Sequence, residues 1–274
     1  MPELPEVEVI RQGLLPLLTN SRILTVSFSN KRLRKPFPRT RMYERVEKNF
    51  ILAVERRGRY LILRLTGKTI MVFHLGMTGK ITAPPAETPR RRHDHLRFRL
   101  DNGRELRFND ARRFGFVEVW GEEEPEAQAL FTHFGPEPFD AAFCQGYLLE
   151  KARGKLQPVK SFLMDNRVVA GIGNIYANEI LFASRTHPQT PAGRLPRLDW
   201  GLIVRQSQII LGKAIQMGGS TISDYENATG ASGYFQLELA VYGRTGQSCR
   251  TCATPIERMV LAGRSTFFCP VCQR

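Results

Sequence analysis

Two Cys-x-x-Cys knuckles, Cys249/Cys252 and Cys269/Cys272, separated by sixteen residues, dictate how the end of this chain folds. Knuckles at this spacing read as a four-thiolate zinc site. Thiolates on two short turns close a tetrahedron and leave no open position, so the single Zn2+ expected here is structural rather than catalytic. A pair of disulfides is the alternative. It suits a secreted chain, whereas the first residues show neither an apolar stretch nor a basic leader. Residues 241–274 are too few for a core of their own, so metal binding and folding are expected to be one event. This segment has five arginines and one acid, Glu257, and reads as a folded basic finger.

The whole chain is basic, with a formal charge of +14, yet 42% of its residues are hydrophobic, enough for real cores. Its 274 residues suggest two domains besides the finger. Nucleic acid is the expected partner of such a protein. A membrane surface fits less well, because neither a long apolar run nor a basic amphipathic helix is present. The fifth cysteine, Cys144, has no Cys-x-x-Cys mate and reads as a buried or inert thiol.

The chain opens Met1-Pro2-Glu3-Leu4-Pro5-Glu6-Val7-Glu8. Removal of Met1, usual before a small residue, leaves Pro2 as a free secondary amine. An α-amino group has a pKa of about 8, well below a lysine, so much of it is unprotonated near neutrality and able to attack an electrophilic carbon. The same residues also read as a helix start, with Pro5 at the first helical position and acids favoured by the dipole. Both readings hold together.

Up to residues 131–140 the pattern has mostly period two. Leu96, Phe98 and Leu100 alternate with Arg97 and Arg99; Asp101-Asn102-Gly103 turns; Leu106 and Phe108 alternate with Glu105 and Arg107. That predicts a hairpin with one apolar and one basic face. A second hairpin is expected over 59–65 and 69–75, and an amphipathic helix over about 5–15 with Val7, Ile10 and Leu14 on one face. Ala83 to Pro89 reads as an exposed loop ending in Arg90-Arg91-Arg92. After the linker Phe134-Gly135-Pro136-Glu137-Pro138 the period becomes helical. A helix over 198–217 places Ile203, Ser207, Ile210, Ala214 and Met217 on one stripe and stops at Gly218-Gly219. A shorter one, about 174–184, follows Gly171-Ile172-Gly173; glycines before a helix let a phosphate approach its free amides.

Met1 to Glu6, Arg112-Arg113-Phe114-Gly115, Gly173-Asn174-Ile175-Tyr176 and the cysteine knuckles occur together and in order along essentially the whole chain. In this the sequence resembles the formamidopyrimidine-DNA glycosylases, bacterial enzymes that remove 8-oxoguanine and ring-opened purines. The resemblance implies an α+β multidomain fold. An N-terminal β-sandwich with flanking helices would occupy 1–134, a helix–two-turns–helix domain 135–238, and a β-hairpin zinc finger 239–274, with DNA in a basic cleft. It implies an enzyme acting as a monomer on double-stranded DNA that contains oxidised purines or abasic sites. The place implied is the bacterial cytoplasm and nucleoid, not a membrane.

Roles carry over residue by residue. Pro2 would attack the sugar C1′ and expel the base, leaving an iminium ion that permits β- and then δ-elimination. Glu3 matches the acid that handles the ring oxygen, and Glu6 a carboxylate that orients the N-terminal turn. Met77, Arg112 and Phe114 match side chains that fill the gap left by the extruded base. On their residues alone, Met77 and Phe114 also read as core and Arg112 as a solvated loop residue. His93, Lys160, Asn174, Tyr176 and Arg264 match DNA contacts, and Ser220 to Gln236 a lid over the flipped base. One departure stands out. The family usually has lysine near the reacting sugar where this chain has Arg59. Arginine keeps the charge but does not readily give up a proton. Three other readings stay open: an endonuclease VIII-like enzyme for oxidised pyrimidines, against which Leu4 and the Met77/Arg112/Phe114 set argue; a non-catalytic DNA-binding zinc protein; and an RNA-binding module.

Overall fold

The computed structural model describes residues 1–219 and 238–274. Two compact units emerge, the first built on Met1–Thr132 and the second on His133–Gln216 with the C-terminal residues.

The first unit opens with helix α1, Leu4–Leu18. Val7, Ile10, Leu14 and Leu18 share its buried face at the expected helical spacing. Pro5 is its second residue rather than its first, because Glu3 is the N-cap. Then come β1 (Ile23–Phe28), α2 (Arg39–Arg45), β2 (Ile51–Arg57), β3 (Tyr60–Leu65), β4 (Thr69–His74), β5 (Lys80–Thr82), β6 (Asp94–Leu100), β7 (Glu105–Asn109), β8 (Phe116–Gly121) and α3 (Pro125–Ala129). The strands form two antiparallel four-stranded sheets, ordered β1-β6-β7-β5 and β2-β3-β4-β8. One core joins both sheets to α1: Val26, Phe98 and Phe108 come from the first, Val54, Leu63 and Phe73 from the second. The rings of Phe73 and Phe108 meet edge to face across it, 5.8 Å apart. Behind the second sheet, Ile62, Ile70, Val72 and Trp120 are covered by Leu130 and Phe131. Strands β3 and β4 thus bury apolar residues on both faces, through Leu61–Leu63 and Ile70–Phe73.

Both predicted hairpins form, β3–β4 and β6–β7. The second turns through Asp101-Asn102-Gly103, where Gly103 takes the left-handed φ of +80° that a three-residue loop needs. Its polar face departs from the expectation of a basic surface. Arg107 is buried, bonded through Nε to Glu105 (2.7 Å) and through its other nitrogens to the carbonyls of Thr88 and Pro89. It ties down the loop before Arg90 and offers no charge to a partner.

The second unit contains α4 (Gln145–Ala152), α5 (Val159–Leu163), α6 (Asn174–Ala183) and α7 (Arg197–Gln216), then β9 (Glu257–Leu261) and β10 (Arg264–Phe268). Cys144, just before α4, is exposed rather than buried. Between α5 and α6 the chain makes turns, one closed by the Val168 amide on the Asp165 carbonyl at 2.9 Å. Helix α7 buries Trp200, Ile203, Ser207, Leu211 and Ala214. Leu211 thus takes the fully buried place expected of Ile210, which stays half-buried. Gly218 and Gly219, at φ +78° and +84°, follow its end. Hairpin β9–β10 turns through Ala262-Gly263, both at positive φ, as a two-residue primed turn requires. The finger is not free-standing within this unit. Phe182 of α6 packs on its core of Val241, Ile256 and Phe267, and the buried Glu179 carboxylate accepts the amides of Ala240, Val241 and Tyr242. Among the described residues no helix is long and apolar enough to cross a membrane.

Candidate functional site

At the start of α1, Glu3 and Glu6 form a reciprocal capping box: each carboxylate accepts the other's backbone amide, Glu6 Oε2 from Glu3 N at 2.8 Å. Both are buried, at the positive end of the helix dipole. Pro2, one residue earlier, is half-exposed. A solvent-reachable Pro2 therefore adjoins a carboxylate locked in one position.

Glu8 does more than charge the helix start. Its carboxylate accepts Arg11 and Gln12 on its own helix and Arg56 Nε of β2 at 2.9 Å. Burial opposes its ionised form, but the bonds from Arg11 and Arg56 prevail and hold the carboxyl below its usual range. Arg56 also donates to the Gly58 carbonyl, 3.1 Å away. The turn carrying Arg59 is thereby tied to the helix carrying Glu3. Arg59 acts on a residue that sequence reasoning missed. Burial, and then the charges of Arg59 and Arg34, push His74 down to about 4, so its ring is neutral. It stacks on Phe116 and accepts the Gly76 amide at Nδ1, which leaves its proton on Nε2.

Met77 and Phe114 lie outside the core, 39% and 45% exposed. The core reading of these two residues is thereby set aside. Arg112 is also exposed, its guanidinium 4.8 Å from the centre of the Phe114 ring. Gly76 allows the two loops to meet: at φ +63°, a Cβ there would lie 2.4 Å from the Phe114 carbonyl carbon. His93 stands half-buried beside this cluster, its carbonyl accepting the Asp110 amide.

In the second unit two of the expected DNA contacts lie deep in the structure. Lys160 is only 1% exposed, and its ammonium bonds Asn174 Oδ1 (2.7 Å), the Ser265 carbonyl (2.9 Å) and Thr266 Oγ1 (2.7 Å). An ammonium has three protons. These three acceptors from α6 and β10 make it a strut under the hairpin. The Tyr176 side chain, in the first turn of α6, is fully buried. Asn174 opens that helix and donates from Nδ2 to Ser265 O at 3.1 Å. Arg264, the residue before Ser265, is exposed. The strut thus holds the exposed arginine of the hairpin close to a helix N-terminus. The expected lid, Ser220 to Gln236, lies outside the described residues.

The four cysteine sulfurs lie within 4.8 Å of one another. The Cys249–Cys272 and Cys252–Cys269 pairs are 3.9 and 3.4 Å apart. These separations far exceed a disulfide bond of about 2.05 Å. They match the ~3.8 Å edge of a tetrahedron built on zinc–sulfur bonds of about 2.3 Å. Backbone amides of Thr251 and Cys272 point at Cys249 and Cys269 Sγ, as suits thiolates. The cysteines form a single structural zinc site.

Fold and site together define a zinc-stabilised DNA-binding protein whose N-terminal helix starts on a buried, reciprocally capped carboxylate pair. Three family descriptions match in order: "Formamidopyrimidine-DNA glycosylase N-terminal domain" over residues 1–117, "Formamidopyrimidine-DNA glycosylase H2TH domain" over 134–226, and "Zinc finger found in FPG and IleRS" over 246–274. The formamidopyrimidine-DNA glycosylase of Geobacter sulfurreducens is 44% identical over 274 residues, covering all of both chains. The solved MutM (Fpg) protein of Thermus thermophilus is 38% identical, with a TM-score of 0.89 over 99% of this chain and 98% of that one. A Lactococcus lactis Fpg variant in complex with Fapy-dG containing DNA is 33% identical, with a TM-score of 0.90 and full coverage of both chains. This chain belongs to the formamidopyrimidine-DNA glycosylase family, and is a DNA glycosylase and AP lyase of base excision repair.

Proposed function

We propose that this chain excises 8-oxoguanine and formamidopyrimidines from duplex DNA through Pro2, and that it works in the bacterial cytoplasm at the nucleoid. The observation that carries this reading is the half-exposed Pro2 beside a buried Glu3 locked by Glu6. With Met1 removed, the Pro2 nitrogen lone pair forms a bond to C1′ as the base departs with the glycosidic electrons, and the amine's own proton is lost to the departing base through solvent. The sugar ring then opens, its oxygen taking a proton, for which Glu3 is the adjacent acid. The product is an iminium ion, positively charged without any further proton because the amine is secondary. That charge acidifies the C2′ hydrogen. Its loss expels the 3′ phosphate, and a second elimination expels the 5′ phosphate. Holding nucleophile and acid on one rigid helix start places both against the same sugar.

Met77, Arg112 and Phe114 fill the space left by the extruded base. Their exposure supports this, since apolar side chains of such size are otherwise mostly buried in the unit. Arg264 and the first-turn amides of α6 hold backbone phosphates. Arg59 supplies fixed positive charge near His74 without exchanging protons.

Borohydride trapping on a duplex containing 8-oxoguanine tests substrate, nucleophile and reaction class together. Mass spectrometry of the digested adduct is expected to place DNA on Pro2. An adduct on a lysine, or active protein that retains Met1, would refute the assignment. Pro2→Gly is expected to weaken strand cleavage while largely sparing binding to damaged DNA. A parallel duplex containing thymine glycol separates this activity from excision of oxidised pyrimidines.

A further inference from the structure

The loops bearing Met77 and Phe114 meet at one fully buried carboxylate, Asp110. Its Oδ1 accepts the Thr78 hydroxyl at 2.6 Å, and its Oδ2 accepts the Gly115 amide at 2.7 Å. The same Thr78 oxygen accepts the Arg112 amide at 3.2 Å. The Asp110 backbone is held as well, its carbonyl bonded to His95 Nε2 and to the Arg113 amide. A path of hydrogen bonds therefore runs from the residue after Met77, through Asp110, to the residue after Phe114, with a branch to Arg112 itself. The backbone alone does not hold this arrangement cheaply, because Arg113 takes φ +58°, a region that non-glycine residues adopt reluctantly.

We propose that Thr78 and Asp110 form a latch that sets where Met77 stands relative to Arg112 and Phe114. They thereby act as positioning residues for recognition of the base opposite the lesion. This rests on the reading that those three side chains enter the duplex. The direction of the Thr78 hydroxyl is the essential detail. Its proton goes to Asp110, which turns a lone pair toward the Arg112 amide. With the hydroxyl gone, Arg112 loses a backbone anchor and its guanidinium is less well aimed at the orphaned base.

The test compares single-turnover excision of 8-oxoguanine opposite cytosine and opposite adenine. Thr78→Val keeps the branched shape and removes only the hydroxyl; it is expected to shrink the cytosine-over-adenine ratio about fivefold, the effect of one ordinary hydrogen bond. Thr78→Ser is expected to restore the ratio. Asp110→Asn can accept on one side only, so either the Gly115 amide or the Thr78 proton loses its acceptor; it is expected to shrink the ratio as Thr78→Val does, and a wild-type ratio in Asp110→Asn overturns the latch. Melting midpoints and zinc content of each variant are measured alongside. A loss that is merely structural slows both pairings alike, and that outcome overturns the latch. A wild-type ratio in Thr78→Val overturns it too, as does failure of Thr78→Ser to rescue. Arg112→Ala separates the layers: a ratio it leaves unchanged refutes the reading beneath the latch, whereas a ratio it shrinks while Thr78→Val does not refutes the latch alone.

Discussion

Replacing Lys160 with methionine distinguishes a strut from a phosphate contact, because the two make different thermodynamic predictions. Methionine keeps most of the stem and deletes the ammonium. Three bonds disappear, to Asn174, Ser265 and Thr266. Each hydrogen bond to a charged group contributes about 1.5–3 kcal/mol. Relief from keeping a charge out of water offsets a large part of that sum. One acceptor keeps another donor: Ser265 O still receives Asn174 Nδ2, and the Thr266 hydroxyl keeps its own bond to Arg264 O. Asn174 Oδ1 and Thr266 Oγ1 lose the ammonium donor. A net loss of about 2–4 kcal/mol follows. Spread over a unit of this size, that is a fall of roughly 5–15 °C in its melting midpoint. DNA affinity should fall through disorder of the Arg264 hairpin, yet the salt dependence provides the sharper readout. Every phosphate that a side chain neutralises contributes about 0.9 to the slope of log affinity against log salt. A strut contributes nothing directly, so Lys160→Met should keep the wild-type slope once folded protein is selected at low temperature. Arg264→Ala, at an exposed residue, should lower the slope by about 0.9 with little change in midpoint. Calorimetry and fluorescence titration at several salt concentrations measure both quantities. A slope reduced by about 0.9 in Lys160→Met at an unchanged midpoint would refute the strut.

Removal of zinc by chelation, or Cys252→Ser, should unfold the hairpin and abolish DNA binding; a metal-free protein of normal affinity, measured by titration with metal analysis, would contradict this. Arg112→Ala should narrow the preference for cytosine over adenine opposite 8-oxoguanine by about ten- to a hundredfold, as loss of a charged hydrogen bond of about 1.5–3 kcal/mol implies, and single-turnover rates on the two duplexes measure it. His74 has a folded pKa of about 4, below its unfolded value near 6.5. Between those values the unfolded chain binds more protons, so this histidine's contribution is complete above about pH 6.5 and lost as pH falls toward 4. His74→Gln should therefore flatten the acid side of the stability–pH curve in that window, and denaturant melts at pH 4 to 7 check it.

The features legible in the sequence are those encoded over short spans. Paired knuckles bring four thiolates to two turns whatever surrounds them, so Cys249, Cys252, Cys269 and Cys272 were found from spacing alone. Asp101-Asn102-Gly103 selects its turn by backbone preference, Gly103 taking the positive φ. Alternation revealed the β6–β7 hairpin and the inward face of its apolar residues. It did not reveal that Arg107 on the other face is buried, because its acceptors come from a loop eighteen and nineteen residues away. Lys160 is the clearest case of tertiary structure deciding. Its acceptors on the hairpin lie 105 and 106 residues along the chain, and a lysine in a basic protein otherwise reads as a phosphate contact. Asp110 had no signal beyond its place beside Arg112, yet thirty-two residues separate it from the hydroxyl it holds. Charge and spacing are properties of a segment. Whether a charge meets water, a phosphate or a ring of buried acceptors depends on which distant segments the fold stacks upon it, and there desolvation exceeds any local preference.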